Sequence, residues 1–337
     1  MAACGHFFFC KTTIMNLRTL YQKTIVVTGA SSGAGRAIAL QFAKEGAYLV
    51  LAARRQPALE EVAALCSEAG GKATVVVCDV TNAAAVKDLA EKAFLTYGSI
   101  DVWINNAGVL AAGTFEETPI EVHDQVVRTN LLGYMHGAHA AIPYFKKQGH
   151  GVLINNISVG GWFPTPYAAG YTASKFGLRG FSEALRGELH RFPHIHVCDA
   201  YPAFLDTPGI QHAANYTGRY LKPAPPVYDP VPLAAAIVRL AKNPVARTNY
   251  SVVTSILKTG YAVAPRLTRT ATAAVIKAYL KNAQPLPDSP GNVFAPTEFG
   301  TGIHGGWNSP ADAERRKKSG LLLLAGLALG WMLLARR

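Results

Sequence analysis

The sequence predicts an α/β chain built as a doubly wound parallel sheet of about seven strands. Three observations predict it. From Lys23 onward, short β-branched runs alternate with longer helical segments. The short runs are apolar nearly throughout, as strands covered by helices on both faces must be. A glycine-rich turn stands directly between the first short run and the first helical segment.

In chain order, strands are expected at 24–27, 48–53, 73–77, 102–104, 152–156, 196–200 and 250–254. Helices are expected between them at 34–45, 58–69, 83–97, 121–145, 169–190 and 233–242. After Thr254 the character changes. Residues 255–282 read as a helical extension rich in Thr and Ala, and 284–310 as an irregular arm dense in Pro and Gly. The organisation expected is an N-terminal extension at 1–22, a main domain at 23–254, a helix and arm at 255–310, and a basic-flanked apolar segment at 311–337.

The two ends differ in kind. Residues 1–14 fit nothing that follows, whereas Met15 begins an ordinary lead into a first strand. The apolar stretch there is too short and interrupted for a signal peptide, so a disordered extension or a misassigned start is expected. At the other end, 320–335 is uninterruptedly apolar, with Arg315, Arg316, Lys317 and Lys318 before it and Arg336 and Arg337 after it. As a helix it spans about 24 Å, short of a bilayer core of about 30 Å. Flanking arginines can snorkel, Trp331 suits an interface, and Gly326 and Gly330 have the spacing used for helix pairing in lipid. The expectation is a membrane anchor with the main domain on the cytoplasmic side; the alternative is a terminal helix packed on the domain or on an oligomeric partner.

Composition excludes several classes. Half of the 337 residues are hydrophobic and only 16% are charged, which excludes a disordered chain. The net charge of +12 is dispersed, with no basic-aromatic module, so no nucleic-acid partner is expected. The five cysteines are scattered without a CxxC pair, arguing against a disulfide framework or a zinc site; no metal is expected.

The first strand runs into Thr28-Gly-Ala-Ser-Ser-Gly-Ala-Gly35 and then a helix. Glycines at such a junction let backbone N–H groups approach a pyrophosphate, while the helix N-terminus adds partial positive charge. The turn could also be purely structural. Farther along, Tyr171 and Lys175 lie four residues apart on an expected helix, with Ser158 thirteen positions upstream. Residues at i and i+4 share a helix face. A cation beside a phenol lowers its pKa from about 10, toward use as an acid or base near neutrality. Alone, this pair is a chance-level pattern.

Together, TGASSGAG, Asn105-Asn-Ala-Gly108, Asn130, Ser158 and Tyr171-Thr-Ala-Ser-Lys175 occur in the order and spacing of the short-chain dehydrogenases/reductases. The chain resembles the branch that uses TGxxxGxG and YxxxK, over roughly 23–254. The resemblance implies a Rossmann-like fold, a homodimer or homotetramer, and interconversion of an alcohol and a carbonyl with a nicotinamide cofactor. It implies that Tyr171 exchanges the proton and that Lys175 lowers its pKa and binds the nicotinamide ribose. Ser158 would hold the substrate oxygen, and Asn130 would anchor a water leading to Lys175. Gly29, Ser31, Ser32, Gly33 and Gly35 would cradle the pyrophosphate, and Arg36, next to the glycine loop, would help Arg54 and Arg55 with a 2′-phosphate. Asp79, Val80, Asn106, Ala107 and Gly108 would lie along the cofactor, with Pro202 and Thr207 at its nicotinamide end. A competing reading of Asp79 is a cap for the next helix. The competing class is a non-catalytic nucleotide sensor that keeps the fold.

Two departures from the family pattern stand out. Ala203 replaces the usual glycine after Pro202, which is tolerated only if φ is negative there. Ala34 stands where isoleucine is common. Cofactor choice turns on Ala53-Arg54-Arg55 at the end of the second strand. An acidic residue there would accept hydrogen bonds from the ribose 2′-OH of NAD; guanidinium groups suit the 2′-phosphate of NADP(H), which is therefore expected over NAD(H). Residues 204–232, rich in Tyr and Pro, are expected to fold over the site as a substrate loop, with Trp162, Phe163 and Tyr167 lining the same pocket. Such a pocket suggests a hydrophobic carbonyl or alcohol.

Overall fold

The computed structural model describes residues 19–308. Along the chain run β1 (Thr24–Thr28), α1 (Gly33–Ala43), β2 (Tyr48–Ala53), α2 (Gln56–Glu68), β3 (Lys72–Val77) and α3 (Ala83–Tyr97). Then come β4 (Val102–Asn105), β5 (Ala111–Gly113), α4 (Ile120–Val127), α5 (Gly133–Gln148), β6 (Gly151–Asn156) and α6 (Ala169–Glu188). The last elements are β7 (Ile195–Tyr201), β8 (Ala214–Tyr216), α7 (Pro230–Lys242), β9 (Arg247–Asn249), α8 (Val252–Val263) and α9 (Pro265–Asn282).

Seven strands form one parallel sheet in the order β3-β2-β1-β4-β6-β7-β9. Side chains alternate faces along each strand, and the alternation divides the core in two. Ile25, Val27, Leu49, Leu51, Val102, Ile104, Val152 and Ile154 pack with α1, α2 and α7. Val26, Val50, Trp103 and Leu153 point the other way, against α3, α5 and the end of α6. Both faces are dry, which is why these strands read as continuous apolar runs. The strand order reverses direction between β1 and β4, and in open α/β sheets ligands bind beyond the strand C-termini at that point.

Three expectations need correction. The helix foreseen at 121–145 is interrupted by a π turn at Arg128–Leu132. The last strand is Arg247–Asn249, not 250–254. There, Ser251 accepts from the Thr254 backbone N–H at 3.0 Å and caps α8, so the β-branched residues after it are helical. A short apolar run does not distinguish strand from helix by periodicity alone. The single helix foreseen at 255–282 is two, because Pro265 starts a new one at its first turn. The short parallel pair β5–β8 was not foreseen.

The arm at 284–308 does not trail away from the domain. It returns along the C-terminal edge of the sheet, pairing Ser289 with Asn215 and burying Val293 and Trp307. Among the described residues no helix is long and apolar enough to cross a membrane. The expected anchor at 320–335 and the extension at 1–14 lie outside the described residues.

Candidate active site

A cleft of about 240 Å³ opens beyond the C-terminal ends of β1, β2 and β4. Gly29, Ser31, Ser32, Gly33 and Gly35 form its floor, with Asn106, Ala107 and Gly108 on one wall and Arg54, Asp79 and Val80 on another. Two glycines are required sterically. Gly29 sits at φ +66° with a Cβ position 2.7 Å from Ala107 Cα, and a Cβ on Gly35 would stand 2.0 Å from the Gly29 carbonyl oxygen. Asn106 braces the turn rather than facing the cleft with its amide: its Nδ2 donates to Thr28 O at 3.1 Å and its N–H to Thr28 Oγ1 at 3.0 Å. A glycine turn at a helix N-terminus fits the pyrophosphate of a dinucleotide, although one of its N–H groups, that of Gly33, donates to Gly302 O at 2.9 Å.

The expected acid–base group assembles at the edge of this cleft. Tyr171 and Lys175 lie on the first turns of α6, and Lys175 is 4% exposed. The Lys175 Nζ sits 5.7 Å from the Tyr171 ring centroid and 5.0 Å from that of Tyr134. It also lies 3.9 Å from where a Gly108 Cβ would stand, which joins it to the cleft wall. No carboxylate pairs with it among the described residues, and burial lowers its pKa to about 7. The phenol does not behave as the spacing suggested. Burial raises the Tyr171 pKa above its ordinary value, and a hydrogen bond with the Ser158 hydroxyl offsets part of the rise. Loss of hydration acts on both groups, favouring the neutral phenol and the neutral amine.

Ser158 is held in an unusual backbone conformation, φ 105° and ψ 159°, a region nearly confined to glycine. Its hydroxyl accepts from Gly160 N–H at 3.3 Å, and the N–H of Val159 is fixed by the Pro202 carbonyl at 2.7 Å. Pro202 therefore acts on the serine loop through its backbone. Ala203 has no positive φ, so the missing glycine is accommodated. Thr207 lines the cleft.

Asn130 lies inside the π turn and is fully buried. Its carboxamide bonds both the N–H and the carbonyl of Val109 and donates to Ser174 Oγ at 3.3 Å. Single π turns are frequent at functional sites, and this one sets the asparagine against the loop that carries Gly108. The sequence signal for it was Asn130 itself; the extra residue per turn was not visible.

At the far end of the cleft, Asp79 accepts from Thr81 N–H and Thr81 Oγ1 at 2.9 and 2.8 Å. It does not cap α3, because Asn82 does so through Ala84 and Ala85 N–H. Arg54 and Arg55 line the cleft, but both also donate to carbonyls of the arm, which sequence reasoning did not connect with this site. Arg36 is not in the cleft lining. It pairs with Glu61 at 2.6 Å and donates to Thr301 O at 3.0 Å.

The loop at 204–232 carries β8, and Tyr216 and Tyr171 both pack against a cluster that includes Val109, Ala214 and Val293 of the arm. The three aromatic residues expected along the substrate side have these neighbours. Trp162 lies between the cations of Arg179 and Lys258, 3.7 and 4.1 Å from its ring centroid, and against Tyr201. Phe163 meets Tyr261 edge to face, and Tyr167 gives its carbonyl to Gly113 N–H. None of the three lines the cofactor cleft, and neither do Ser158, Tyr171 and Lys175, which stand beside it.

The fold has relatives among known proteins. The family profile of the short chain dehydrogenases matches residues 23–216. An uncharacterized oxidoreductase, YxnA of Bacillus subtilis, is 33% identical over 299 residues, covering 87% of this chain and 82% of that protein. A 3-ketodihydrosphingosine reductase of Bacteroides thetaiotaomicron is 38% identical over 54% of this chain and 64% of its own length. The 11-beta-hydroxysteroid dehydrogenase A of Sesamum indicum is 36% identical over 55% of this chain and 53% of its own. Among solved structures, an alcohol dehydrogenase of the archaeon Thermococcus sibiricus, complexed with 5-hydroxy-NADP, superposes with a TM-score of 0.61. It is 28% identical and covers 69% of this chain and 97% of its own. The chain belongs to the short-chain dehydrogenase family and is an oxidoreductase acting on CH–OH groups with a nicotinamide cofactor.

Proposed function

We propose that the protein interconverts a hydrophobic secondary alcohol and its carbonyl with NADP(H), using Tyr171 as the acid and base. The observation that carries this reading is the convergence of the Tyr171 phenol, the Ser158 hydroxyl and the buried Lys175 beside Gly108 of the cleft. The nicotinamide supplies the hydride when bound; the protein supplies position and proton control. With its pKa raised, Tyr171 carries its proton at neutral pH and is poised to give it to a carbonyl oxygen held by Ser158. Lys175, near 7, can return a proton to the phenolate after each turnover.

Arg54 and Arg55 support NADP(H) over NAD(H), since no carboxylate stands at the end of β2 to accept from a ribose hydroxyl. The names of two relatives, a ketodihydrosphingosine reductase and a hydroxysteroid dehydrogenase, support an apolar substrate. A homodimer or homotetramer is part of the proposal and is read by light scattering. So is membrane association through 320–335, with the body cytoplasmic; fractionation of the full chain against one ending at Pro310 reads it. Tyr171→Phe tests the central reading: turnover of a carbonyl panel should vanish while NADPH binding persists, and surviving turnover would refute the assignment.

A further inference from the structure

The arm makes contacts that a passive tail does not need. Between residues 292 and 302, six backbone carbonyls accept hydrogen bonds from the domain. Arg54 donates to Asn292 O at 2.5 Å and to Phe294 O at 3.2 Å. Arg55 donates to Thr297 O and, at 3.3 Å, to Phe299 O. Arg36 holds Thr301 O, and the Gly33 N–H of the glycine turn holds Gly302 O at 2.9 Å. Both ends are anchored. Val293 is fully buried beneath Val109 and Ala214, and Trp307 is buried with its N–H groups on Asp206 Oδ1 and Thr207 O.

Asn292, Pro296 and Thr297 thereby become part of the cleft lining at the end where Arg54 and Asp79 stand. Two effects follow. A guanidinium on a loop samples many rotamers, and two carbonyls on each of Arg54 and Arg55 restrict that freedom. Each guanidinium has five donors, so such bonds do not exhaust them. Two polar atoms of the same wall, Arg55 Nε and Asn292 Oδ1, are buried without a partner among the described residues. Both atoms are closed off from solvent at the seam between the domain and the arm.

Resting on the assignment of this cleft to a nicotinamide dinucleotide, we propose that residues 292–302 are a cofactor strap and a determinant of cofactor specificity. The strap forms the outer wall of the adenosine subsite and orients Arg54 and Arg55 toward a 2′-phosphate. Release of the dinucleotide requires the strap to lift.

The test uses the full chain, with hydrogen exchange of peptides covering 292–302 and Gly33 measured alone, with NADPH and with NADH. NADPH should slow exchange of the strap by about tenfold, and NADH by less. Trp307→Ala and Val293→Ala loosen the two anchors separately. Each should speed NADPH dissociation by about fivefold or more and shrink the ratio of NADH to NADPH dissociation constants. If one variant does not fold, the exchange measurement and the other still decide. Strap exchange that is unchanged or accelerated by bound NADPH, or unaltered NADPH dissociation in both variants, would overturn the strap; acceleration would mark a plug that the cofactor displaces. Absence of NADPH binding in a fluorescence titration of the unmodified chain would instead overturn the cofactor assignment beneath it.

Discussion

Asn130 grips a single residue of the opposite loop: its Oδ1 accepts from Val109 N–H and its Nδ2 donates to Val109 O, each at 2.8 Å. This places a buried carboxamide in the π turn at the root of the loop that separates the cofactor cleft from Lys175. Asn130→Ala leaves a buried N–H and a buried carbonyl unpaired, each costing about 1–3 kcal/mol. The thermal midpoint should fall, and kcat should fall with it as the Gly108 wall loses its fixed place beside Lys175. Thermal unfolding and steady-state rates read the two effects separately.

Ser158 combines a reactive hydroxyl with a backbone conformation suited to glycine. Ser158→Ala and Ser158→Gly should both lower kcat by about 100-fold, the order seen when a transition-state hydrogen bond is lost. Their stabilities should part. Glycine relieves the backbone and should be more stable than the alanine variant by about 1 kcal/mol, read as a shift in urea midpoint. Equal midpoints would remove strain from this account of the loop.

The folded protein binds the Lys175 proton less tightly than the unfolded chain, because burial lowers its pKa to about 7 from 10.5. The group therefore destabilises the fold in full below about pH 7, and progressively less as pH rises toward the ordinary lysine value. Lys175→Met should stabilise the protein by on the order of 5 kcal/mol at pH 6, with the gain shrinking toward pH 10. Urea unfolding at the two pH values checks the sign. The variant should lose turnover throughout, since proton return to Tyr171 is removed.

Replacing Arg54 by Asp introduces an acceptor for a ribose hydroxyl and a charge that repels a 2′-phosphate. Preference measured as the ratio of kcat/KM values should move toward NAD(H) by about 100-fold or more, equivalent to about 2.7 kcal/mol. An unmoved ratio would show that Arg54 does not read the 2′-phosphate.

In carbonyl reduction, the rate should hold steady at low pH and decline above about pH 7, as Lys175 loses the proton it passes to Tyr171. In alcohol oxidation the dependence should run the other way. Paired pH–rate profiles with one substrate couple test both limbs.

Much of this was legible in the chain because it is written in local chemistry. β2 and α3 have the foreseen bounds, since one is an apolar run ending at Arg54 and the other an Ala-rich helical stretch; the cap of α3, Asn82, was not foreseen. The glycine turn, Ser158, Tyr171 and Lys175 follow from motifs of fixed spacing, and the sheet brings them to one edge because its strands are parallel and end together. Arg247–Asn249 was missed as a strand because three polar or charged residues carry no apolar pattern; their pairing with Asp199–Tyr201 is a tertiary event.

The sequence by itself determined the doubly wound sheet, which depends on periodicity along the chain, and it named the candidate reactive groups through the motifs that carry the family resemblance. Only the tertiary structure decided how those groups behave. Burial raises the Tyr171 pKa, opposite to the lowering that a neighbouring lysine suggests. The arginines read as phosphate ligands also hold the carbonyls of an arm some 240 positions away. Burial and long-range hydrogen bonds are properties of packing, and no local window of residues encodes them.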